Sequence, residues 1–284
     1  MTEPRHVPVS TADAGSVVRR VARRRGPAWQ QLDDHIAEEV PVAFVYNQAP
    51  FAVMMATPAD LEDFAQGFAL SEGIVEAIGD AQVQSIAHLL EGVEVQIRIP
   101  TEREHLLAQR RRSMSGRSGC GVCGSELLEA ALRSPAPVGQ GITVTGAALT
   151  RALGELRQQQ PLNARTGASH AAGWADADGQ ILLVREDVGR HNALDKLIGA
   201  MHRAQLDAQA GFLVVTSRAS YEMAMKAASA GIGFMAAISA PTALAISLAQ
   251  RTGLTLVGFA RDDGHALYTH PWRLTDAAPE AAGR

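Results

Sequence analysis

The chain has 284 residues, of which 46% are apolar, so it can bury one large core or two smaller ones and is not a disordered protein. Its formal net charge of −4 argues against broad binding to nucleic acid. Two cysteines are too few for the disulfide framework of a small secreted domain, and the arginine-bearing N-terminus lacks the apolar core of a signal peptide. These properties predict a globular, cytoplasmic protein.

A run of five arginines precedes the first predicted strand and ends at a Gly-Pro pair. We expect residues 1–28 to form a flexible basic arm and ordered structure to begin near Asp33. The arm is either a solvated tail or a segment that seeks a phosphate-rich ligand or an acidic partner.

Residues 29–113 have the pattern of a small α+β domain. Two apolar, β-prone runs at 40–46 and 51–56 flank a four-residue turn and predict a β-hairpin. A helix should follow, with Thr57 as its N-cap and Asp60 completing the capping pattern. Alternating apolar residues from Val93 to Ile99 predict a half-buried strand, and a second capping pattern at residues 101–104 predicts a short helix. The predicted buried face of the first helix is Leu61, Phe64, Ala65 and Phe68.

Both cysteines lie in a glycine-rich stretch at residues 115–124, as a C-x-x-C pair formed by Cys120 and Cys123. A helix predicted over residues 125–133 follows at once, and its positive N-terminal end favours thiolate over thiol. Structural zinc would need histidines to complete four ligands, and a zinc deaminase needs an H-x-E motif that the sequence lacks. A dithiol redox site and a thiol that carries sulfur as a persulfide both stay open.

The C-terminal half alternates between strand and helix patterns, which predicts a parallel sheet with right-handed crossovers. Residues 227–250 carry no charge and are long enough to cross a bilayer, but two glycines and Pro241 interrupt them. We therefore interpret that stretch as a helix, a strand and a helix, and we expect a loose tail after about residue 270. The predicted strands are 142–145, 181–184, 212–216, 234–238 and 254–260, and the predicted helices are 147–160, 221–230 and 242–250.

Polar segments follow three strands of this predicted sheet, at residues 217–220, 239–242 and 259–264. The carboxyl ends of parallel strands meet at one edge, where ligands bind. The first two segments also begin helices, whose free backbone N–H groups favour an anion, and Arg218 adds positive charge. The sequence thus predicts a phosphate or pyrophosphate site, although the hydroxyls also fit a role as simple helix caps.

A dense group of polar side chains follows the strand predicted at 181–184, in the segment E-D-V-G-R-H-N-A-L-D-K at residues 186–196. A helix should begin after Gly189. His191 and Asp195 are one turn apart on it, so they could form an imidazole–carboxylate pair. The alternative is an ordinary polar helix start.

Five motifs occur in one order: S-G-C-G-V-C-G, E-D-V-G-R-H-N-A-L-D-K, S-R-A-S-Y-E-M, S-A-P-T and T-L-V-G-F-A-R. Together they closely resemble the formate dehydrogenase accessory sulfurtransferase family of the FdhD/NarQ type, over roughly residues 30–272. The resemblance implies an α/β fold, in which residues 114–272 form a cytidine-deaminase-like three-layer domain and residues 29–113 a small N-terminal α+β domain. A tail over residues 273–284 and a homodimer are also expected.

The resemblance further implies a sulfur carrier. It would accept persulfide sulfur from a cysteine desulfurase and pass it to the molybdenum (or tungsten) bis-guanine-dinucleotide cofactor, before that cofactor enters formate dehydrogenase. Cys120 would hold the persulfide, Cys123 would assist, and the protein's own side chains would hold no metal. The cofactor, or GDP as its mimic, would contact Phe259, Ala260, Arg261, Asp262, Asp263, Gly264, Ser217, Arg218, Ser239, Thr242 and His191.

Two features of the sequence leave room for other interpretations. Asp262 and Asp263 would repel phosphates, so they should face guanine or solvent, or this contact is weaker here. The C-x-x-C pair would also serve a dithiol oxidoreductase, and the nucleotide site would also serve a non-catalytic chaperone that only shields the cofactor.

Overall fold

The structure, a computed structural model, describes residues 15–104, 107 and 135–275. Both cysteines and the helix predicted over residues 125–133 lie outside the described residues, as do residues 1–14 and 276–284.

The N-terminal arginines lie on a β-hairpin. Strand β1 (Ser16–Arg25) pairs antiparallel with β2 (Ala28–Ala37) along its whole length. Gly26 occupies the turn with φ of +59°, a conformation that glycine adopts without strain. The arginines are exposed, and Arg23 forms an ion pair with Asp34 across the hairpin, with Nη2 and Oδ2 2.6 Å apart.

This hairpin corrects the prediction of an arm without regular structure up to residue 28. Ordered structure begins well before Asp33, because β2 satisfies the backbone hydrogen bonds of the arginine-rich strand. The charge pattern indicated solvent exposure correctly, but exposure alone does not distinguish a tail from a two-stranded ribbon.

A four-stranded sheet and one helix follow the hairpin. The predicted hairpin at 40–56 is confirmed, but its turn has two residues instead of the predicted four, because the second strand begins at Ala49. The turn residues Asn47 and Gln48 have positive φ, as a tight two-residue turn requires. The elements are β3 (Val40–Tyr46), β4 (Ala49–Ala56), α1 (Leu61–Ser71), β5 (Gln82–Leu89) and β6 (Gly92–Arg98). The sheet order is β4-β3-β6-β5, with β3 and β6 parallel. Strand β5 was not predicted, because its apolar residues alternate only weakly.

Thr57 does not cap α1 as predicted. The helix begins at Leu61, after a left-handed Asp60 with φ of 53°. Thr57 instead bonds to the C-terminal half: its N–H donates to Asp187 Oδ2 at 3.0 Å and its Oγ1 accepts from Val188 N at 3.2 Å. Thr57 thus binds Asp187, which is 130 residues away in the sequence, instead of the start of the nearby helix. The predicted helix face is confirmed as buried at Leu61, Phe64, Ala65 and Phe68.

The C-terminal half builds a mixed sheet around three parallel strands. The elements are α2 (Gly146–Gln158), α3 (Pro161–Thr166), β7 (His170–Asp176), β8 (Ile181–Asp187), α4 (Arg190–Arg203), β9 (Gly211–Val215), α5 (Tyr221–Ser229), β10 (Phe234–Ala237), α6 (Ala243–Thr252), β11 (Thr255–Arg261) and β12 (Gly264–Thr269). Among the described residues the sheet order is β12-β11-β10-β9-β7-β8, and the predicted parallel pairing of β9, β10 and β11 is confirmed. Strand β7 pairs antiparallel with β9, and β12 pairs antiparallel with β11; neither strand was predicted.

Helices cover both faces of this sheet, and the alternation along β9 shows how. Leu213 and Val215 pack in one core cluster with α4, α5 and α6. Phe212 and Val214 point the other way into a second cluster with α2. Both faces of the sheet are therefore shielded from water, which explains why the parallel strands have continuous apolar sequences.

The end of the chain contradicts the predicted tail at residue 273. Arg273 is 1% exposed and Leu274 is 2% exposed. The Arg273 guanidinium donates to the carbonyls of Gly139, Gln140 and Gly253, each at 2.7 Å. Burial lowers the pKa of Arg273 to about 10. The segment is held by tertiary contacts that its composition does not reveal.

Two other predictions concern single segments. The predicted strand at residues 142–145 is reduced to one β-bridge between Val144 and Leu274. The uncharged stretch 227–250 forms the end of α5, β10 and most of α6, as expected. In the described ranges, none of the helices combines the length and the apolar character that a membrane span needs.

Candidate functional site

The carboxyl ends of β9, β10 and β11 lie side by side, and the three predicted polar segments adjoin there. Ala219 forms a parallel bridge with Pro241, and Thr242 N donates to Ala219 O at 3.0 Å. Phe259 N donates to Ser239 O at 3.2 Å, which joins the third segment to the second. We call this region, residues 217–220, 239–242 and 259–264, the strand-end edge.

Several hydroxyls of the strand-end edge serve as helix caps. Ser220 Oγ accepts from Met223 N at 3.4 Å, and Thr242 Oγ1 accepts from Ala245 N at 3.3 Å. Ser217 Oγ donates to the carbonyl of Arg218, whose own side chain is exposed. The capping interpretation is therefore correct for Ser220 and Thr242. A side-chain cap occupies one N–H of the first helical turn, so the remaining N–H groups of α5 and α6 still favour an anion.

The segment at residues 259–264 comprises the end of β11, a turn at Asp262 and Asp263, and the first residue of β12. Asp262 is held by Arg157 of α2, whose Nη1 donates to Oδ2 at 2.9 Å. This hydrogen bond lowers the pKa of the Asp262 carboxyl, and the pair is largely exposed. Arg157, which lies outside the strand-end edge, thus compensates the charge of Asp262, while Asp263 is exposed to solvent. The turn carries less net repulsion for phosphate than its sequence indicates.

Phe259 is the strained residue of the edge. Its φ is +50°, and 44% of the side chain is exposed. A bulky L-residue in the left-handed region costs about 1–2 kcal/mol, and such outliers concentrate where ligands bind. An exposed aromatic ring held in this way is suited to stack on a planar ligand.

We expect Phe259→Gly to be more stable than Phe259→Ala by about 1 kcal/mol. Both variants lose the ring, but only glycine relieves the left-handed strain, so the pair isolates the backbone term. Urea unfolding of the two proteins measures the difference. Equal stability, or a less stable glycine variant, would show that the backbone at Phe259 is not strained.

The predicted pair of His191 and Asp195 is wrong. His191 Nε2 lies 2.8 Å from Glu222 Oε2 on α5, although their angle is not that of a hydrogen bond. Asp195 faces α1 instead, where Ser71 Oγ donates to Oδ1 at 2.5 Å. The spacing of one turn permits the pair, but both side chains take tertiary partners on other helices. Burial, partly offset by Glu222, lowers the pKa of His191.

Behind His191 lies a buried cluster centred on Lys226. Its Nζ donates to Asp195 Oδ2 at 2.9 Å, Glu72 Oε1 at 2.8 Å and Ser71 Oγ at 2.9 Å. Burial raises the pKa of Asp195 to about 6, against the attraction of Lys226. For Lys226, burial opposes the charge, but the two carboxylates outweigh it and raise its pKa. The sequence signal was a single lysine on the apolar face of α5, which the prediction overlooked.

A second buried ion pair lies within the C-terminal half and holds Thr57 of the N-terminal half. Lys196 Nζ lies 2.6 Å from Asp187 Oδ2, with both side chains fully buried, and donates to Thr57 O at 2.9 Å. Lys196 and Asp187 belong to the polar segment 186–196, so that segment mainly holds the N-terminal and C-terminal halves together. His191 of this segment lies at the rim of a cavity.

His170 was also missed. It begins β7, which runs antiparallel to β9, so it lies at the same edge as the ends of the parallel strands. Burial and, secondarily, Arg190 lower the pKa of His170. The small residues of H-A-A-G-W-A-D hid this strand, and with it the position of the histidine.

The family is decided by comparison with known proteins. The model of the FdhD/NarQ family matches residues 37–275. The chain belongs to the FdhD/NarQ family. The β1–β2 hairpin lies almost entirely before the matched residues, whereas the strand-end edge and the Lys226 cluster lie within them.

Relatives support the FdhD/NarQ assignment over nearly the whole chain. A protein named sulfur carrier protein FdhD from Xanthomonas campestris pv. campestris is 61% identical over 267 residues, covering 94% of this chain and 95% of its own. A protein of the same name from Cupriavidus necator is 48% identical, with 98% of each chain covered. The crystal structure of a Desulfotalea psychrophila protein, assigned as a formate dehydrogenase accessory protein, superposes with a TM-score of 0.72. It is 25% identical and covers 92% of this chain and 99% of its own.

Proposed function

We propose that the protein is a cytoplasmic sulfur carrier. It accepts persulfide sulfur from a cysteine desulfurase on Cys120 and transfers it to the molybdenum bis-guanine-dinucleotide cofactor, before that cofactor enters formate dehydrogenase. The observation that carries this proposal is the 61% identity, over 94% of the chain, to a protein named a sulfur carrier. The structural neighbour assigned as a formate dehydrogenase accessory protein supports the recipient.

The strand-end edge supports the cofactor-binding half of the proposal. Two helix starts converge there with the exposed Arg218, which suits phosphate groups, and the exposed ring of Phe259 suits a base. The proposed contacts Arg261 and Gly264 lie at the end of β11 and the start of β12, next to Phe259. The sheet covered by helices on both faces supports a cytidine-deaminase-like arrangement of residues 114–272. A homodimer is proposed from the family resemblance.

The two cysteines together supply the electrons that release the carried sulfur, so the transfer step needs no outside electron donor. The Cys120 thiolate attacks the terminal sulfur of the donor persulfide, so the donor S–S bond breaks and a persulfide forms on Cys120. The Cys123 thiolate then attacks Sγ of Cys120. This expels the carried sulfur, with both bonding electrons, as hydrosulfide for the metal and leaves a Cys120–Cys123 disulfide. A cellular thiol reductant restores the pair.

Mass spectrometry tests the proposal after incubation of the full-length protein with a cysteine desulfurase and cysteine. We expect an adduct of one sulfur atom on Cys120, and its loss in Cys120→Ala. A Cys123→Ala variant should still acquire the sulfur but should not release it as hydrosulfide, because the attacking thiolate is gone.

Two results would replace the proposal. Cycling between dithiol and disulfide without any sulfur adduct would identify a dithiol oxidoreductase. Full activation of formate dehydrogenase by Cys120→Ala would leave only a cofactor-shielding chaperone.

A further inference from the structure

The β1–β2 hairpin carries a positive charge that its own chain leaves largely uncompensated. Its strands hold five arginines and two aspartates, whereas the whole chain has a formal net charge of −4. All five arginines are exposed, and Arg23 pairs with Asp34. In the part of the chain that the structure describes, the other four have no ion-pair partner. We call residues 16–37 the basic ribbon.

The basic ribbon is anchored at its base and extends from there. Glu38 N donates to Gly15 O at 2.8 Å, Ser16 is buried, and β2 packs against α3. Each strand has ten residues, which corresponds to a length of about 30 Å. Around the turn, residues 22–31 are all exposed. An isolated two-stranded ribbon is marginally stable in water, so a partner that covers this part would stabilise it.

The base of the basic ribbon lies on the same side of the C-terminal sheet as the strand-end edge. The N–H groups of Leu162 and Asn163, in the first turn of α3, donate to the Glu186 carboxylate at 2.8 Å each. Glu186 is next to the end of β8, which runs parallel to β9 because both strands are antiparallel to β7. A protein that approaches the strand-end edge is therefore within reach of the ribbon.

The arginines of the basic ribbon are spread out rather than convergent. Side chains alternate between the faces of a strand, so Arg19, Arg23 and Arg25 lie on one face and Arg20 and Arg24 on the other. They span about 20 Å along the strand. Such a spread cannot close around one phosphate group, but it matches an extended anionic groove with walls on both sides of the ribbon.

The basic ribbon also exposes apolar side chains. Trp29 is 68% exposed, Val18 51% and Ile36 41%. Arginine and tryptophan are enriched at the energetically dominant positions of protein–protein interfaces. Asp33 and Asp34 of the same ribbon would repel the phosphates of a nucleic acid. The composition of the ribbon therefore favours an acidic protein surface.

We propose that the basic ribbon docks into an acidic groove on the protein that donates sulfur to Cys120. The inference rests on the proposed function, which supplies a cysteine desulfurase as that donor. The recipient is met through the cofactor at the strand-end edge, within the residues that the family model matches, whereas the ribbon lies almost entirely before them. Opposite charges on the ribbon and the groove speed association and orient the two proteins.

Isothermal titration calorimetry of the full-length protein with a cysteine desulfurase tests the docking. Arg20→Gln combined with Arg25→Gln removes one unpaired charge from each face of the ribbon and should weaken binding about tenfold at about 0.05 M salt. The difference should shrink at about 0.5 M salt, where the charges are screened. Arg98→Gln combined with Arg251→Gln is the matched control, since it removes the same charge from exposed positions elsewhere, and it should bind as wild type does.

Asp33→Asn gives a test of the opposite sign. It raises the positive charge of the ribbon and should tighten binding about twofold at low salt, which a substitution that merely loosens the ribbon would not do. Thermal unfolding of all variants shows whether the fold is retained. Unchanged affinity in the ribbon arginine variant, an equal loss in the matched control, or no binding of the desulfurase by wild type would each overturn the proposal. Normal desulfurase binding by the arginine variant, with loss of formate dehydrogenase activation, would assign the ribbon to the recipient instead.

Sulfur loading separates this inference from the proposed function. Inorganic polysulfide needs no docking: the Cys120 thiolate attacks one of its sulfur atoms, a shorter polysulfide leaves, and a persulfide forms on Cys120. Ribbon-dependent binding of the desulfurase, with no adduct on Cys120 from either donor, rejects the sulfur carrier and keeps the docking ribbon. An adduct from both donors, with equal desulfurase affinity in wild type and the arginine variant, rejects the docking ribbon alone.

Discussion

Replacing Lys226 by methionine is expected to lower the free energy of unfolding by about 3 kcal/mol at pH 8, because removing one partner strands a buried charge. The ammonium is the shared counter-ion of Asp195 and Glu72, and the Asp195 side chain is 1% exposed. Methionine keeps the length of the side chain, so the loss reports the charge, including its contact with the Phe68 ring, whose centre lies 5.3 Å from Nζ. Urea unfolding provides the measurement.

The effect of Lys226→Met should depend on pH, and the pKa of Asp195 sets the direction. That pKa is raised in the fold from 3.8 to about 6, so the neutral carboxyl is the better-tolerated buried form. Its contribution to stability is fully present below the unfolded value and is lost as pH rises through about 6. The variant should therefore lose less stability at pH 5, where Asp195 holds a proton, than at pH 8.

Two comparisons make the Lys226 result interpretable. Adding Asp195→Leu to Lys226→Met should recover part of the lost stability, since the fully buried carboxylate is then gone and Glu72 is partly exposed to water. Arg157→Met removes the exposed pair with Asp262 and should change the free energy of unfolding by less than about 1 kcal/mol. A loss in Lys226→Met that is no larger than in Arg157→Met would contradict the structural role of the cluster.

Gly67→Ala is expected to cost about 2 kcal/mol or more, because a Cβ at this position collides with the backbone of α4. Helices α1 and α4 cross at two glycines: a Cβ on Gly67 would meet the carbonyl of Asp195, and one on Gly199 would meet the carbonyl of Asp63. Backbone atoms cannot move aside as a flexible side chain can. The helices must separate, which also strains the ion pairs beside the crossing.

Gly154→Ala is the matched control for Gly67→Ala. Gly154 also lies within a helix, α2, but its added Cβ would point into open space as far as the described residues extend. This variant should gain up to about 1 kcal/mol from the higher helix propensity of alanine. Thermal and urea unfolding of the two variants should move in opposite directions. A stabilised Gly67→Ala would show that the helices are not in close contact there.

Local patterns predicted the elements whose apolar residues repeat with one clear period. Strands β9, β10 and β11 and helices α5 and α6 lie where they were expected. Each is a long apolar run or an amphipathic turn bounded by glycine, proline or a capping residue. Strands β5 and β7 were missed because polar or small residues occupy positions that β-branched residues fill elsewhere. Their strand geometry depends on neighbouring strands rather than on intrinsic preference.

The partners of polar side chains depended on contacts distant in sequence. Thr57 follows the pattern of a cap but binds Asp187, and His191 is spaced to meet Asp195 but lies beside Glu222. In each case a local rule identified a feasible partner, and a residue from another element offered better burial or charge. The sequence indicated which polar side chains need a hydrogen-bond or ion-pair partner, since buried polar atoms must be satisfied. It did not indicate which residue each of them binds.

The sequence by itself determined the class of this protein. The evidence was an ordered set of motifs, one C-x-x-C pair and three polar segments after predicted parallel strands. These features follow from composition and spacing along the chain. Only the tertiary structure decided that the arginine-rich segment is a hairpin and that Lys226, Asp195 and Ser71 share one buried cluster. It also placed Glu222 of α5 beside His191 of α4. The physical reason is that burial and charge pairing are properties of neighbours in space, which chain spacing leaves undetermined.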